Sequence, residues 1–313
     1  MNRNILIALL TAAPLAAQTR LAGPVSGVVF DAKAKSLRPM LGVPGASYLG
    51  NAVATGLDIA AVSPDGKLAL GVGADGLSMI VLDGGFAAAR QAIAKDLTSA
   101  DLIAWSRDSK TAAIYSEAAD SITFINENRE VATARAEGTV TVLAVSGDEA
   151  AIAVGGELSV VSARGRRLVT RLGSISAIAI AGADLYLADR EAEQVFAIRG
   201  YRDQGAPELL ASAGRGVADP VALAVSANGK SLWIAGGMSK SLYRVDAAAG
   251  SVDATLPLDF EPSRLEAMGG MFLLNARFAA GDSFELLAGG DNPAVYFVPA
   301  DAAVTTDQDA REE

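Results

Sequence analysis

The chain has no cysteine and no histidine among its 313 residues, and only 5% of them are aromatic. Without cysteine, no disulfide can brace the fold, so burial alone must hold it together. Without histidine, the Ser–His and Cys–His nucleophile pairs, the usual imidazole metal sites and histidine general bases are all excluded. Zinc and copper are disfavoured because thiolate and imidazole are both missing; no cofactor is expected, and any metal would have to be a hard cation on oxygen ligands, with calcium the candidate. A basic stripe is missing as well. Lys and Arg total 26 against 36 Asp and Glu, for a formal net charge of −10. That balance argues against nucleic acid, whose phosphates need cations, and against docking on anionic lipid.

Long apolar runs are confined to the first segment, MNRNILIALLTAAPLAAQ. It has a basic start at Arg3, an apolar stretch from Ile5 to Leu15, and small residues before a cut after Ala17, the layout of a secretory signal. Read as a membrane anchor, the stretch is too short, and Pro14 interrupts it. Residues 1–17 are therefore expected to be removed. Loss of Arg3 takes the charge from −10 to −11. No cysteine stands near the cut for lipid attachment. No later run reaches spanning length, so the mature protein is expected to be exported, periplasmic or secreted, without membrane insertion.

What is abundant is self-similarity. The stretches LDIAAVSPDGKLALGVG, ADLIAWSRDSKTAAIYS, VTVLAVSGDEAAIAVGG, ISAIAIAGADLYLAD, PVALAVSANGKSLWIAGG and PSRLEAMGGMFLLNAR share one shape. Aligned at Ser63, Ser106, Ser146, Ala181, Ser226 and Met268, they are spaced by 43, 40, 35, 45 and 42 residues. A period near forty is that of a four-stranded propeller blade. Each stretch reads as two β-prone runs around a tight polar turn, with Asp-Gly or Asn-Gly suited to reversal. Third runs follow (LSMIVLD, SITFINE, QVFAIRG, SLYRVDA), then weaker fourth runs such as ARQAIA and REVATA. A β-sandwich need not repeat at a fixed period, and the helices of an α/β barrel are missing. The expected fold is an all-β propeller over residues 18–300, of seven four-stranded blades, with six as the alternative. The first blade, from residues 24–50, is expected to be short and completed by the other end of the chain, which would seal the ring's edges. The acidic tail 301–313 is expected to be disordered.

One regularity concerns the first run of each unit. Two residues before the alignment point stand Ala61, Ala104, Ala144, Ala179 and Ala224, small enough for the crowded innermost strand. Val62, Trp105, Val145, Ile180 and Val225 follow them and are expected to pack between blades. Trp105 and Trp233 lie within strand runs and are read as core.

The VSPDGK turn and the unit DPVALAVSANGKSLWIAG resemble the YVTN/WD40-like β-propeller repeats of exported bacterial proteins. The resemblance covers nearly all the mature chain, although the Tyr-Val-Thr-Asn run itself and the Gly-His and Trp-Asp signatures are absent. It implies ligand or protein binding on a loop face. It carries over no catalytic residue.

Candidate site residues fall into three groups. Five before the alignment point stand Asp58, Asp101, Thr141, Ser176, Val221 and Ser263; five of the six can hydrogen-bond, and the two carboxylates, Asp58 and Asp101, either hold calcium at a channel mouth or, like the hydroxyls, bond neighbouring loops, the carboxylates by capping their amides. In the last unit Glu266 replaces the alanine, with Arg264 on the same side of the strand, either to meet a ligand or to neutralise each other. The loops between second and third strands carry Asp75, Glu117, Asp120, Arg190, Glu193, Lys240, Arg277 and Asp282, a charged rim on the face where rigid scaffolds present binding residues. The glycine-rich GVGADG and AGRGVAD open no helix and so lack the geometry of a phosphate loop. The expected function is non-catalytic binding of a protein or other envelope partner through the loop face. The alternative is a calcium-dependent hydrolase or lyase of the lactonase type, drawing on Glu266 and Asn275.

Overall fold

The structure, a computed structural model, describes residues 23–127, 131–274 and 283–299. Residues 1–17 and 301–313, and with them the leader and tail expectations, lie outside these, as do Asn275, Arg277 and Asp282. Among the described residues no helix is long and apolar enough to cross a membrane.

The turns show why the repeat keeps its spelling. In blade 2, Ser63 Oγ lies 2.7 Å from Asp65 Oδ1 and accepts the Leu68 amide at 3.0 Å, while Asp65 Oδ1 accepts the Lys67 amide at 3.1 Å. Ser106, Asp108 and the Lys110 and Thr111 amides repeat this in blade 3. Ser226, Asn228 and the Lys230 and Ser231 amides repeat it in blade 6. The fourth turn residue sits at positive φ each time: Gly66 at 73°, Ser109 at 62° and Gly229 at 75°. Glycine takes that backbone freely. Ser109 is retained for another bond, since its hydroxyl accepts the Asp65 amide at 3.0 Å and ties blade 2 to blade 3. Ser106 is 2% exposed. Its replacement by alanine leaves the Thr111 amide and Asp108 short of a partner, and is expected to cost about 1–2 kcal/mol in urea unfolding.

These hairpins extend into seven four-stranded sheets, each built from consecutive strands. The chain is a seven-bladed β-propeller. The innermost strands of blades 2 to 7 are Ile59–Val62, Leu102–Trp105, Val142–Ser146, Ile175–Ala181, Pro220–Val225 and Glu266–Met268. All ladders within blades are antiparallel, and blade 7 ends with Phe284–Ala288 and Ala294–Val298.

Blade 1 corrects the expectation for the ring's closure. Its strands Val25–Asp31, Ser36–Val43, Ala46–Leu49 and Ala54–Thr55 all come from its own stretch, and both short strands pair with Ser36–Val43. The sheet is thus three ranks wide. It also runs the other way. The Lys35 carbonyl, in its first turn, accepts the Leu57 amide beside the entry to blade 2. In the other blades the first turn lies at the opposite face. A chain that enters at that opposite face needs an odd number of crossings to reach the entry of blade 2, and three ranks supply it. Blades 7 and 1 then meet by packing: Met268, Leu273 and Phe284 against Val29, Met40 and Leu49. A Cβ at Gly27 would lie 2.5 Å from Met268 Sδ, so a larger residue there would force the Met268 side chain to shift.

Core clusters sit between neighbouring blades, and the alanine regularity belongs to them. Ala104 packs with Leu143 and Val145 of the next blade, Ala144 with Ile178 and Ile180, Ala179 with Leu223 and Val225, and Ala224 with Leu265. One strand offers small residues and its neighbour offers large ones, so the inner faces interdigitate near the axis. Each fully buried aliphatic, such as Leu70 or Ile114, contributes roughly 1.5–3 kcal/mol of burial.

Candidate functional site

Inner strands of the ring enclose an axial channel. Its larger cavity, about 510 Å³, is lined by blades 2 to 7, and a second of about 410 Å³ is lined by blades 1, 2, 3 and 7. Arg264, Glu266 and Ala61 border both. Trp105, expected as core, is half-buried in the wall of the larger cavity, and its indole N–H donates to the Ala61 carbonyl at 3.0 Å.

The two mouths differ. At the face carrying the hairpin turns, Arg107 of blade 3 reaches across to blade 6, where Nη2 donates to the Ser226 carbonyl at 2.6 Å and also to that of Ala227. A guanidinium therefore spans this end. The other mouth opens among the loops between second and third strands, bordered by Asp58, Thr141, Ser176, Val221 and Ser263.

The residues singled out in the sequence are scattered over this frame. Asp58 lines the smaller cavity and pairs with Lys35 at 2.7 Å, both side chains more than half exposed. Asp101 does not border either cavity; its Oδ2 accepts the Glu117 amide at 2.7 Å, the capping use. Ser176 Oγ donates to the Pro220 carbonyl at 2.6 Å. Among the described residues no three Asp or Glu gather as a metal-binding group.

Glu266 does occupy the alanine position. Met268 faces Met271 and Glu266 faces Leu273, the same offset by which Ser146 faces Glu149 and Ala144 faces Ala151. Arg264 Nη1 donates to Glu266 Oε1 at 2.8 Å. Being on the Met268 side of the strand, Glu266 points toward the seam with blade 1, where the cavity wall is formed by Val28, Val29 and Phe30.

On the loop rim, Asp75 is exposed. Asp120 accepts Arg135 at 3.0 Å and the Gly138 amide at 3.2 Å, and these bonds, Arg135 first, hold its carboxyl below the usual range. Lys240, at φ 47°, has an exposed side chain, while its carbonyl accepts the Leu258 amide. Arg190 is locked in a two-pronged pair, Nε to Asp219 Oδ1 at 2.6 Å and Nη2 to Oδ2 at 3.2 Å.

Asp219 had not been singled out, although it organises this sector. It is 5% exposed and sits at φ 46° just before Pro220, and its Oδ2 also accepts the Met238 amide at 2.6 Å. Burial pushes its carboxyl up, but Arg190 and the Met238 amide together outweigh that and leave it lowered. The loop so fixed presents Met238, 72% exposed, at the rim. The only trace in the sequence was GGMSK, an apolar residue in a loop otherwise built of small and polar ones.

No protein-family model matches the sequence, and no curated protein matches it. Solved structures do match in shape. PorZ, an essential bacterial surface component of the type-IX secretion system of Porphyromonas gingivalis, superposes with a TM-score of 0.58 at 15% identity, over 89% of this chain and 38% of that one. Virginiamycin B lyase from Staphylococcus aureus gives 0.55 at 14% identity, over 76% of this chain and 82% of that one. Kluyveromyces lactis Hsv2 gives 0.55 at 10% identity, over 73% and 72%. The likeness is one of fold.

Proposed function

We propose that this chain is an exported, non-catalytic binding module that takes a protein or other envelope partner on its loop face. The observation that carries the reading is the asymmetry of the channel: Arg107 spans one mouth, while the other opens onto a charged rim. Rigid presentation supports it. Arg190, Asp219 and the Met238 amide form one bonded chain, so an exposed methionine is offered without a large ordering cost on binding. Export rests on the reading of residues 1–17 as a leader. The shared fold with a secretion-system surface component is compatible with this role and does not establish it.

The alternative, a calcium-dependent hydrolase or lyase, finds Asp58 engaged with Lys35, Asp101 with a loop amide and Glu266 with Arg264. Nothing specific favours it over binding.

The test is affinity capture from cell-envelope extract with residues 18–313 immobilised. A combined loop-face variant (Asp75→Lys, Met238→Asp, Lys240→Glu) is expected to lose the captured partner. A turn-face variant (Lys67→Glu, Lys110→Glu, Lys230→Glu) is expected to keep it. The opposite pattern overturns the reading.

A further inference from the structure

Charge inside the channel runs against the charge of the whole. The chain is at −10, yet among the described residues the ionisable side chains lining the larger cavity are Arg107, Arg264 and Glu266, a balance of +1. The adjoining cavity adds Asp58, whose charge is matched by Lys35. Arg264 and Glu266 neutralise each other. The surplus is therefore Arg107. Among the described residues it has no carboxylate at ion-pair distance; its recorded partners are the two carbonyls of blade 6, both reached by Nη2. Between Arg107 and the loop-face mouth the wall carries aliphatic side chains such as Leu102, Leu143, Ile178 and Leu223 beside the open backbone edges of the inner strands.

From this juxtaposition we infer that the channel is a binding site for an aliphatic monocarboxylate, with the chain along the aliphatic side chains of the wall and the carboxylate at Arg107. An anion there meets a guanidinium with donors to spare, and a carboxylate matches that fork better than any neutral head group. A cationic head would lie against an unmatched positive charge. A neutral chain would gain the burial but leave Arg107 as it is. The volume of about 510 Å³ is within the usual range for small-molecule sites. The inference does not depend on the loop-face partner, and either can fail without the other.

The chain carries its own reporter. Trp105 borders the cavity, whereas Trp233, the second tryptophan, is fully buried between blades 6 and 7. The experiment titrates the mature chain, residues 18–313, with sodium octanoate, octanol and octyltrimethylammonium, each below its micellar range, following tryptophan emission and the thermal midpoint. Octanoate is expected to give a saturable emission change and a raised midpoint. It is expected to bind at least tenfold more tightly than the other two. Arg107→Met is expected to bring octanoate down to the level of octanol, and Arg107→Lys to restore part of the preference. Trp105→Phe should remove the emission change and keep the midpoint shift. Equal binding of all three probes, no saturation by octanoate, or an Arg107→Met variant that folds normally and keeps the preference would overturn the assignment.

Discussion

Replacing Asp219 with alanine is expected to lower the unfolding free energy by about 2–4 kcal/mol, because it strips a buried acceptor from two N–H groups of Arg190 and one backbone amide. Arg190 is nearly half exposed, so water recovers part of the loss, which keeps the figure below that of a fully buried pair. Asp219→Asn preserves the shape but not the charge and should lose less. The acid branch of the stability curve provides a second readout. The folded carboxyl is lowered relative to its ordinary value. Its contribution is therefore complete above the unfolded value, about pH 4, and is lost as pH falls through the folded one. Urea titrations at pH 7 and pH 3 should show that the alanine variant has lost stability at pH 7 and falls less steeply into acid than the parent. A change under about 0.5 kcal/mol at pH 7, the scale of ordinary surface substitutions, contradicts the clamp.

The second large effect is expected at Trp233. The ring is 0% exposed, pairs across the sheet with Ala224, and packs with Leu265 and Phe272 of blade 7. Truncation to alanine removes contacts on both sides of a blade interface and should cost about 3–5 kcal/mol. Trp233→Phe should be much milder, about 1 kcal/mol. Its indole N–H is buried without a hydrogen-bond partner among the described residues, so phenylalanine sheds an unmet donor along with some volume. If phenylalanine were as costly as alanine, the ring would owe its place to something other than packing. Urea unfolding of both variants, followed by circular dichroism, decides this.

The fold was legible because its signals are local. The Ser-x-Asp/Asn-x-Lys turn closes its own hydrogen bonds within six consecutive residues, and the forty-residue spacing follows from four short strands and their turns. Alanine at 104, 144, 179 and 224 could be read as a small-residue position, but which neighbour it faces emerged only once the blades were assembled. Blade 1 was misjudged, since its stretch has no repeat turn to mark strand direction. The candidate site was less legible for a related reason. Asp58 and Asp101 share a repeat position, yet one meets Lys35 from blade 1 and the other meets its own blade's loop. Arg107 reads as an ordinary turn residue until blade 6 is placed opposite it, 119 residues away in sequence. Asp219 likewise acts through Arg190, 29 residues earlier. Polar contacts made once, between one particular pair of residues, leave no periodic trace.

The measurement that bears most directly on the central claim, that this propeller binds through its loop face, is a hydrogen-exchange footprint of residues 18–313 with and without the captured partner. Protection is expected at 73–76, 117–120, 190–193 and 237–240, with the turns at 63–67, 106–110 and 226–230 unchanged. Protection confined to those turns, with the loops exchanging as before, would contradict it.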